Sequence, residues 1–382
     1  MIYLDNNATT RLDPRVLEAM MPFLTDEYAN AASTHPFGLR AHEAVKLARQ
    51  QMAQLLGCEP QEFIFTSGAT EAINLAMKGV AESYSSRGRH IITVQTEHSA
   101  VLDVCRFLET QGCEVTYLAV QPDGLLDLAT VQQALRPDTI LVSVMLVNNE
   151  TGVIQPIQEI AVLAHAAGAL FMTDATQAVG KMPIDVEALG IDLLTCSGHK
   201  LYGPKGVGGL YVRQRKPRRV KLAALLHGGG HERGWRSGTL NVPGIVGLGH
   251  AAELCRQSMK EEAARIGALR NELEAGLLAI PGTRVNGNRE HRFYNTTNIL
   301  FEGCDSDAMI MGLEGIAVSN GSACTAASVD PSHVLLSMGM DETEAFSCLR
   351  FSLGRFNSPE MLVDVIDSAQ DIISRLRGYI LA

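Results

Sequence analysis

Seven short, almost continuously apolar runs, separated by longer helix-like segments, fill residues 60 to 212, and this rhythm constrains the fold more than any other feature. The runs are EFIFTS, HIITVQT, EVTYLAV, TILVSVMLV, ALFMTDA, IDLLTCS and GGLYV. They are rich in β-branched residues, whereas the intervening EAINLAMKGVAESYSS and IQEIAVLAHAAG carry a helical spacing. Strands apolar on both faces that alternate with helices build a mostly parallel sheet covered on both sides. The expected fold class is therefore α/β. In such sheets ligands gather at the carboxyl ends of the strands, so candidate site residues should follow the runs directly.

A chain of 382 residues is too long for one hydrophobic core. From about 250 the rhythm changes to the helical stretch AAELCRQSMKEEAARIGALRNELEAGLLAI and then to strand-like pieces in NTTNILFEG and SCLRFSLGRF. The reading is a large α/β domain over 15–255 and a smaller α+β domain made of 1–14 and 256–382. The formal net charge of -10 argues against general nucleic-acid binding, which needs clustered cations. The basic run RQRKPRRVK reads as a solvated turn in preference to a docking patch. MIYLDNNATTRLDP lacks the basic start and apolar core of a secretory signal, and ILVSVMLV is too short to span a bilayer, so no membrane and a cytoplasmic location are expected. The eight cysteines include no CxxC pair, so no metal centre is expected.

Four features fall at strand ends. Lys200 follows IDLLTCS within SGHKLYGPKG; the letters fail the Walker register and the dinucleotide fingerprint, leaving an amine in the setting of a Schiff-base lysine or a plain surface lysine. Asp174 ends ALFMTDA, where it reads either as a cap or as the partner that keeps a pyridine nitrogen protonated. Gly68, Ala69 and Thr70 open a helix after EFIFTS, which suits a phosphate and equally a tight turn. His98 follows HIITVQ, where an imidazole can stack on a cofactor ring and exchange protons. Together the four point to pyridoxal phosphate. Arg350 lies in CLRFSLGRF on the strand face opposite Leu349, Phe351 and Leu353, and its fork suits a substrate carboxylate; Arg355 falls on the apolar face. Cys324 is set among small, turn-favouring residues in SNGSACTAAS, unlike the other seven cysteines.

The motifs SGHKLYGPKG, TSGATEAIN, TEHSAV, NNETG, DATQAVGK, HGGGHERGWRSGT, SNGSACTAAS and LRFSLGRF, in this order, closely resemble the group I, NifS/IscS-like cysteine desulfurases. These form part of the class V aminotransferases, within the fold-type I pyridoxal-phosphate superfamily. The resemblance runs from Tyr3 to about Phe356, with Ala31 standing where the family usually has proline. It implies a Schiff base on Lys200, a pyridinium partner in Asp174 and ring stacking by His98. It implies phosphate contacts from Ala69, Thr70, Ser197 and His199, and cofactor-hydroxyl contacts from Asn149 and Gln177. Asn149 and Arg350 are the expected substrate contacts. Thr239 should reach the cofactor phosphate of a neighbouring subunit, which implies a homodimer. Cys324 becomes the nucleophile that carries a persulfide. The implied activity takes sulfur from L-cysteine, releases L-alanine and passes the sulfur to an acceptor protein in iron–sulfur assembly, tRNA thiolation or DNA phosphorothioation. A selenocysteine lyase, a class V aminotransferase and a non-catalytic docking subunit are the rival readings.

Overall fold

The computed structural model describes residues 1–320 and 330–380. Among them the seven apolar runs form seven strands of one sheet. They are β2 (Phe63–Thr66), β3 (His90–Val94), β4 (Glu114–Leu118), β5 (Thr139–Ser143), β6 (Leu170–Asp174), β7 (Leu193–Ser197) and β8 (Gly208–Val212). Their order across the sheet is β2-β8-β7-β6-β5-β3-β4. The five central and distal strands from β7 to β4 pair in parallel, and β8 runs antiparallel to both its neighbours. The direction of β8 follows from chain length. A parallel neighbour requires a crossover of a dozen or more residues, and the tight stretch from Gly198 to Val207 cannot supply one.

Two apolar layers sandwich this sheet. Phe65, Ile92, Val142, Phe171 and Leu194 join the layer on one face, and Ile64, Ile91, Leu141, Met172 and Leu193 the layer on the other. Each such side chain contributes about 1.5–3 kcal/mol when fully buried, which makes the register of the strands hard to shift. A third core, around Ile299, Phe301, Leu349 and Phe351, lies beneath a smaller antiparallel sheet ordered β12-β10-β9. Its strands are β9 (Thr283–Asn286), β10 (Thr296–Phe301) and β12 (Cys348–Ser352). Beside it β1 (Ile2–Tyr3) pairs in parallel with β11 (Ile316–Ala317).

One helix, Val242–Leu278, runs through both regions. Its first half buries Ile245, Leu248 and Cys255 in the large-sheet core, and its second half buries Ile266, Leu269 and Leu273 under the small sheet. The helix starts well before the stretch that reads as helical in the sequence, because NVPGIVGLGH looks broken by proline and glycines. Pro243 is harmless in the first turn, where its missing N–H is not needed, and the Asn241 side chain caps Gly244 N at 3.2 Å. Gly249 serves a close approach: a Cβ there would stand 2.5 Å from Ala48 Cα on helix Pro36–Leu56.

Three of the six cations in the basic run are paired within the fold. Arg213 pairs with Glu187 at 2.7 Å, Arg215 with Glu62 at 3.0 Å and Arg218 with Asp192 at 3.5 Å. Among the described residues no helix is long and apolar enough to cross a membrane.

Candidate active site

The carboxyl ends of β2, β3, β6 and β7 open onto one cavity of about 580 Å³, a size that suits a cofactor with its substrate. Ser67 and Gly68 follow β2, and helix Ala69–Ser83 begins at once with no side chain capping it at Gly68. Its first amide groups are thus left for an anion, aided by the helix dipole. Gly208 on β8 holds this turn in place. A Cβ there would stand 2.7 Å from Gly68 Cα, so only the bare backbone lets strand and turn meet. Ala69, Thr70, Ser197 and His199 all line the cavity at this end. His199 Nδ1 lies 3.1 Å from Thr9 Oγ1, and burial, with Lys200 next in weight, lowers its pKa to about 4.

Lys200 ends the tight turn Gly198–Lys200 that follows β7. Its Nζ donates to the backbone carbonyls of Asn7 and Ala8 at 2.5 and 2.6 Å. The same Asn7 carbonyl accepts from Gln177 Nε2 at 2.9 Å. Asp174, the last residue of β6, is buried and accepts from Thr176 N at 2.9 Å and Thr195 Oγ1 at 3.2 Å. These bonds hold an acceptor-only carboxylate at the cavity wall.

His98 caps helix Ser99–Thr110, with Nδ1 accepting from Ala100 N at 3.1 Å. An accepting Nδ1 leaves the proton of the neutral ring on Nε2. Burial lowers the His98 pKa, Asp174 opposes that shift and Lys200 adds to it. The preceding Glu97 is fully buried, and burial drives its carboxyl toward the protonated form.

Arg350 on β12 reaches the cavity from the small sheet. Its Nη2 meets Asp5 Oδ1 at 2.6 Å and its Nη1 donates to the Asn149 carbonyl at 3.0 Å. Arg355 does not line the cavity; it ties Asp13 to Glu262 at 2.6 Å each. The cavity therefore gathers Ala69, Thr70, His98, Asn149, Asp174, Gln177, Ser197, His199, Lys200 and Arg350. Thr239 is exposed and stands outside it. Cys324 lies outside the described residues.

The amino-terminal strip Asn7, Ala8 and Thr9 also lines the cavity, and no sequence argument singled it out. Asn7 fixes it by donating from Nδ2 to Asn149 O at 3.0 Å and to Thr296 Oγ1 at 2.9 Å. The one available signal was DNNATT, a polar stretch with neither helical nor strand period. Lys205 and Glu71 are further lining groups outside the sequence reading.

Comparison with known proteins places this architecture. The aminotransferase class V family model matches residues 2–364. Cysteine desulfurase IscS of Anaeromyxobacter dehalogenans (strain 2CP-C) is 54% identical over 378 residues, covering 98% of this chain and 93% of the relative. A solved structure described as a NifS-like protein superposes with a TM-score of 0.91 at 38% identity, covering 98% of this chain and 99% of its own. A structure of SspA in complex with cysteine superposes with a TM-score of 0.83 at 39% identity, covering 94% of this chain and all 100% of its own. The chain thus belongs to the class V aminotransferase family, in its group of NifS/IscS-like cysteine desulfurases.

Proposed function

We propose that the protein is a pyridoxal-phosphate-dependent cysteine desulfurase: it takes the sulfur of L-cysteine, releases L-alanine and holds the sulfur as a persulfide on Cys324. The observation that carries this reading is the convergence of Lys200, Asp174, His98 and Arg350 on one cavity. The donor set fits the cofactor. An amine for its carbonyl carbon, a carboxylate for its ring nitrogen and a helix amino terminus for its phosphate lie in the same space.

Ala69, Thr70, Ser197 and His199 would hold the phosphate, Asn149 and Gln177 the ring hydroxyl, and Asp174 the ring nitrogen. When bound, the cofactor supplies an electron sink for the α-carbon. Arg350, backed by Asp5, orients the substrate carboxylate beside Asn149. The Lys200 amine takes the α-proton and returns a proton later in the turnover. His98, neutral and carrying its proton on Nε2, exchanges protons with the substrate thiol and amine. The Cys324 sulfur forms a bond to the substrate sulfur as the carbon–sulfur bond breaks. L-Cysteine plus a thiol thereby gives L-alanine plus a persulfide, with no outside oxidant.

The assembly we infer is a homodimer. Leu24, Tyr28, Phe37 and Leu39 are exposed on and beside the short helix Pro22–Thr25 and helix Pro36–Leu56, and apolar surface of this kind supports pairing with a second copy. Thr239, exposed and away from its own cavity, would serve the partner's cofactor. The sulfur goes to an acceptor protein, an iron–sulfur scaffold or a thiolation enzyme, in the cytoplasm. The division into a 15–255 domain and a second made of 1–14 and 256–382 is supported by the distribution of buried side chains along helix Val242–Leu278.

The test is product analysis with L-cysteine and pyridoxal phosphate. Alanine and a reductant-labile sulfur on Cys324 are expected; an oxo acid product would mark an aminotransferase instead, and no turnover would leave a docking subunit.

A further inference from the structure

Lys181 lies four residues beyond Gln177 in the turn after β6 and is only 4% exposed. Its Nζ donates to Gln177 Oε1 at 3.3 Å, and among the described residues it makes no ion pair. The charged and titratable groups whose fields reach it are Lys200 from the turn after β7, Cys255 from helix Val242–Leu278 and Arg350 from β12. Lys181 in turn disfavours the protonation of the His199 ring. Burial, and then Lys200, bring the Lys181 pKa down to about 7. A buried amine whose one acceptor is a neutral amide weakens the fold in its charged form, so its contribution lies elsewhere.

The hydrogen bonds indicate where. With Oε1 turned to Lys181, the Gln177 amide points its N–H side toward Asn7 O, at 2.9 Å, and the same carbonyl accepts from Lys200 Nζ at 2.5 Å. Lys181, Gln177, the Asn7 carbonyl and Lys200 thus form one connected row. We propose that Lys181 is a positioning residue: by donating to Gln177 Oε1 it fixes the Gln177 amide with its N–H side toward the Asn7 carbonyl and the cavity. The proposal rests on the functional reading above.

A Gln177 donor held in this orientation favours the deprotonated ring hydroxyl. Removing Lys181 must then raise the pH at which the bound cofactor gives up its proton.

The experiment compares wild type with Lys181→Met and Lys181→Arg, each loaded with pyridoxal phosphate, by titrating the visible band. In Lys181→Met the midpoint should rise by about half a pH unit or more, while borohydride still labels Lys200. Lys181→Arg, which keeps a donor toward Gln177 Oε1, should stay with the wild type. An unchanged midpoint in Lys181→Met, or the same rise in Lys181→Arg, overturns the proposal. If Lys181→Met does not fold, Lys181→Gln takes its place with a smaller rise expected. A second arm uses the cofactor-free proteins. The folded amine titrates at about 7 against an ordinary 10.5, so between those values the unfolded chain binds more protons and wild-type stability climbs with pH. Lys181→Met should therefore be the more stable protein at and below neutral pH, with the gap closing toward pH 10.5. A less stable Lys181→Met at neutral pH also counts against the proposal. A wild type that develops no visible band overturns the functional reading instead, and the cofactor-free arm still separates the two.

Discussion

Arg350 Nη2 stands 2.6 Å from Asp5 Oδ1, a pair that joins β12 to the amino-terminal strip across nearly the whole length of the chain. The arginine side chain is 3% exposed and the aspartate 17%. The pair anchors one edge of the fork and the bond from Nη1 to the Asn149 carbonyl, at 3.0 Å, anchors the other, so the guanidinium is held at the cavity wall and the two residues should act together in binding.

Arg350→Lys keeps the charge and loses the fork. The KM for L-cysteine should rise by roughly 10- to 200-fold, the equivalent of about 1.5–3 kcal/mol for a hydrogen bond to a charged group. Asp5→Asn should raise KM less and lower the melting temperature, because it leaves a buried guanidinium without its carboxylate. Steady-state kinetics on both variants checks the order; equal KM values in wild type and Arg350→Lys would remove Arg350 from the substrate site.

Acid should weaken the fold through His199. Folded His199 stays neutral down to about 4, whereas in the unfolded chain it takes up a proton near its ordinary 6.5. Between those values the unfolded chain binds more protons, so stability is lost as pH falls from 6.5 toward 4. Urea unfolding of the cofactor-free protein at several pH values should show a shallower acid loss in His199→Asn than in wild type. Parallel curves would mean that the ring is no less basic in the fold than outside it.

How much of this was legible follows from the range of each interaction. The seven strands announce themselves as local runs, and Asp174 and Lys200 are legible because each lies at the carboxyl end of one. The antiparallel direction of β8 was implicit in the short connection from Ser197. Asp5 was not legible, because its role comes from a contact with a residue 345 positions away. Lys181 was not legible either: DATQAVGK gives no local sign that its last residue is buried, since burial is set by tertiary packing. The contrast between Arg350 and Arg355 lay between these cases. Strand alternation separates the two side chains, but only the third dimension supplies Asp13 and Glu262 as partners for Arg355.

The long helix should be intolerant of a side chain at Gly249. In Gly249→Val the new Cβ would meet Ala48 Cα at 2.5 Å and Ala48 Cβ at 2.6 Å, backbone and rigid stem that cannot step aside. Forcing apart helices Val242–Leu278 and Pro36–Leu56 should cost about 1–3 kcal/mol. Thermal unfolding should register this as a lower midpoint. An unchanged midpoint would show that the two helices separate freely there.

Cys324→Ala separates cofactor chemistry from sulfur chemistry. Cofactor binding and removal of the α-proton are assigned to Lys200, Asp174 and His98, which the described structure gathers on one cavity without any thiol. The other cysteines are poor substitutes as nucleophiles. Burial pushes Cys58, Cys105, Cys196 and Cys348 up to about 12 and Cys255 to about 11, so their thiolates are scarce at neutral pH. The Cys324→Ala protein should therefore load with pyridoxal phosphate, change colour on addition of L-cysteine and then stall. Alanine release should fall by orders of magnitude, as expected when a covalent step is removed and binding is kept. Mass spectrometry of the wild type should find one extra sulfur on the peptide that carries Cys324, lost on treatment with reductant. If Cys324→Ala forms alanine and free sulfide at the wild-type rate, the sulfur leaves without a protein nucleophile, and the enzyme is a lyase in place of a desulfurase.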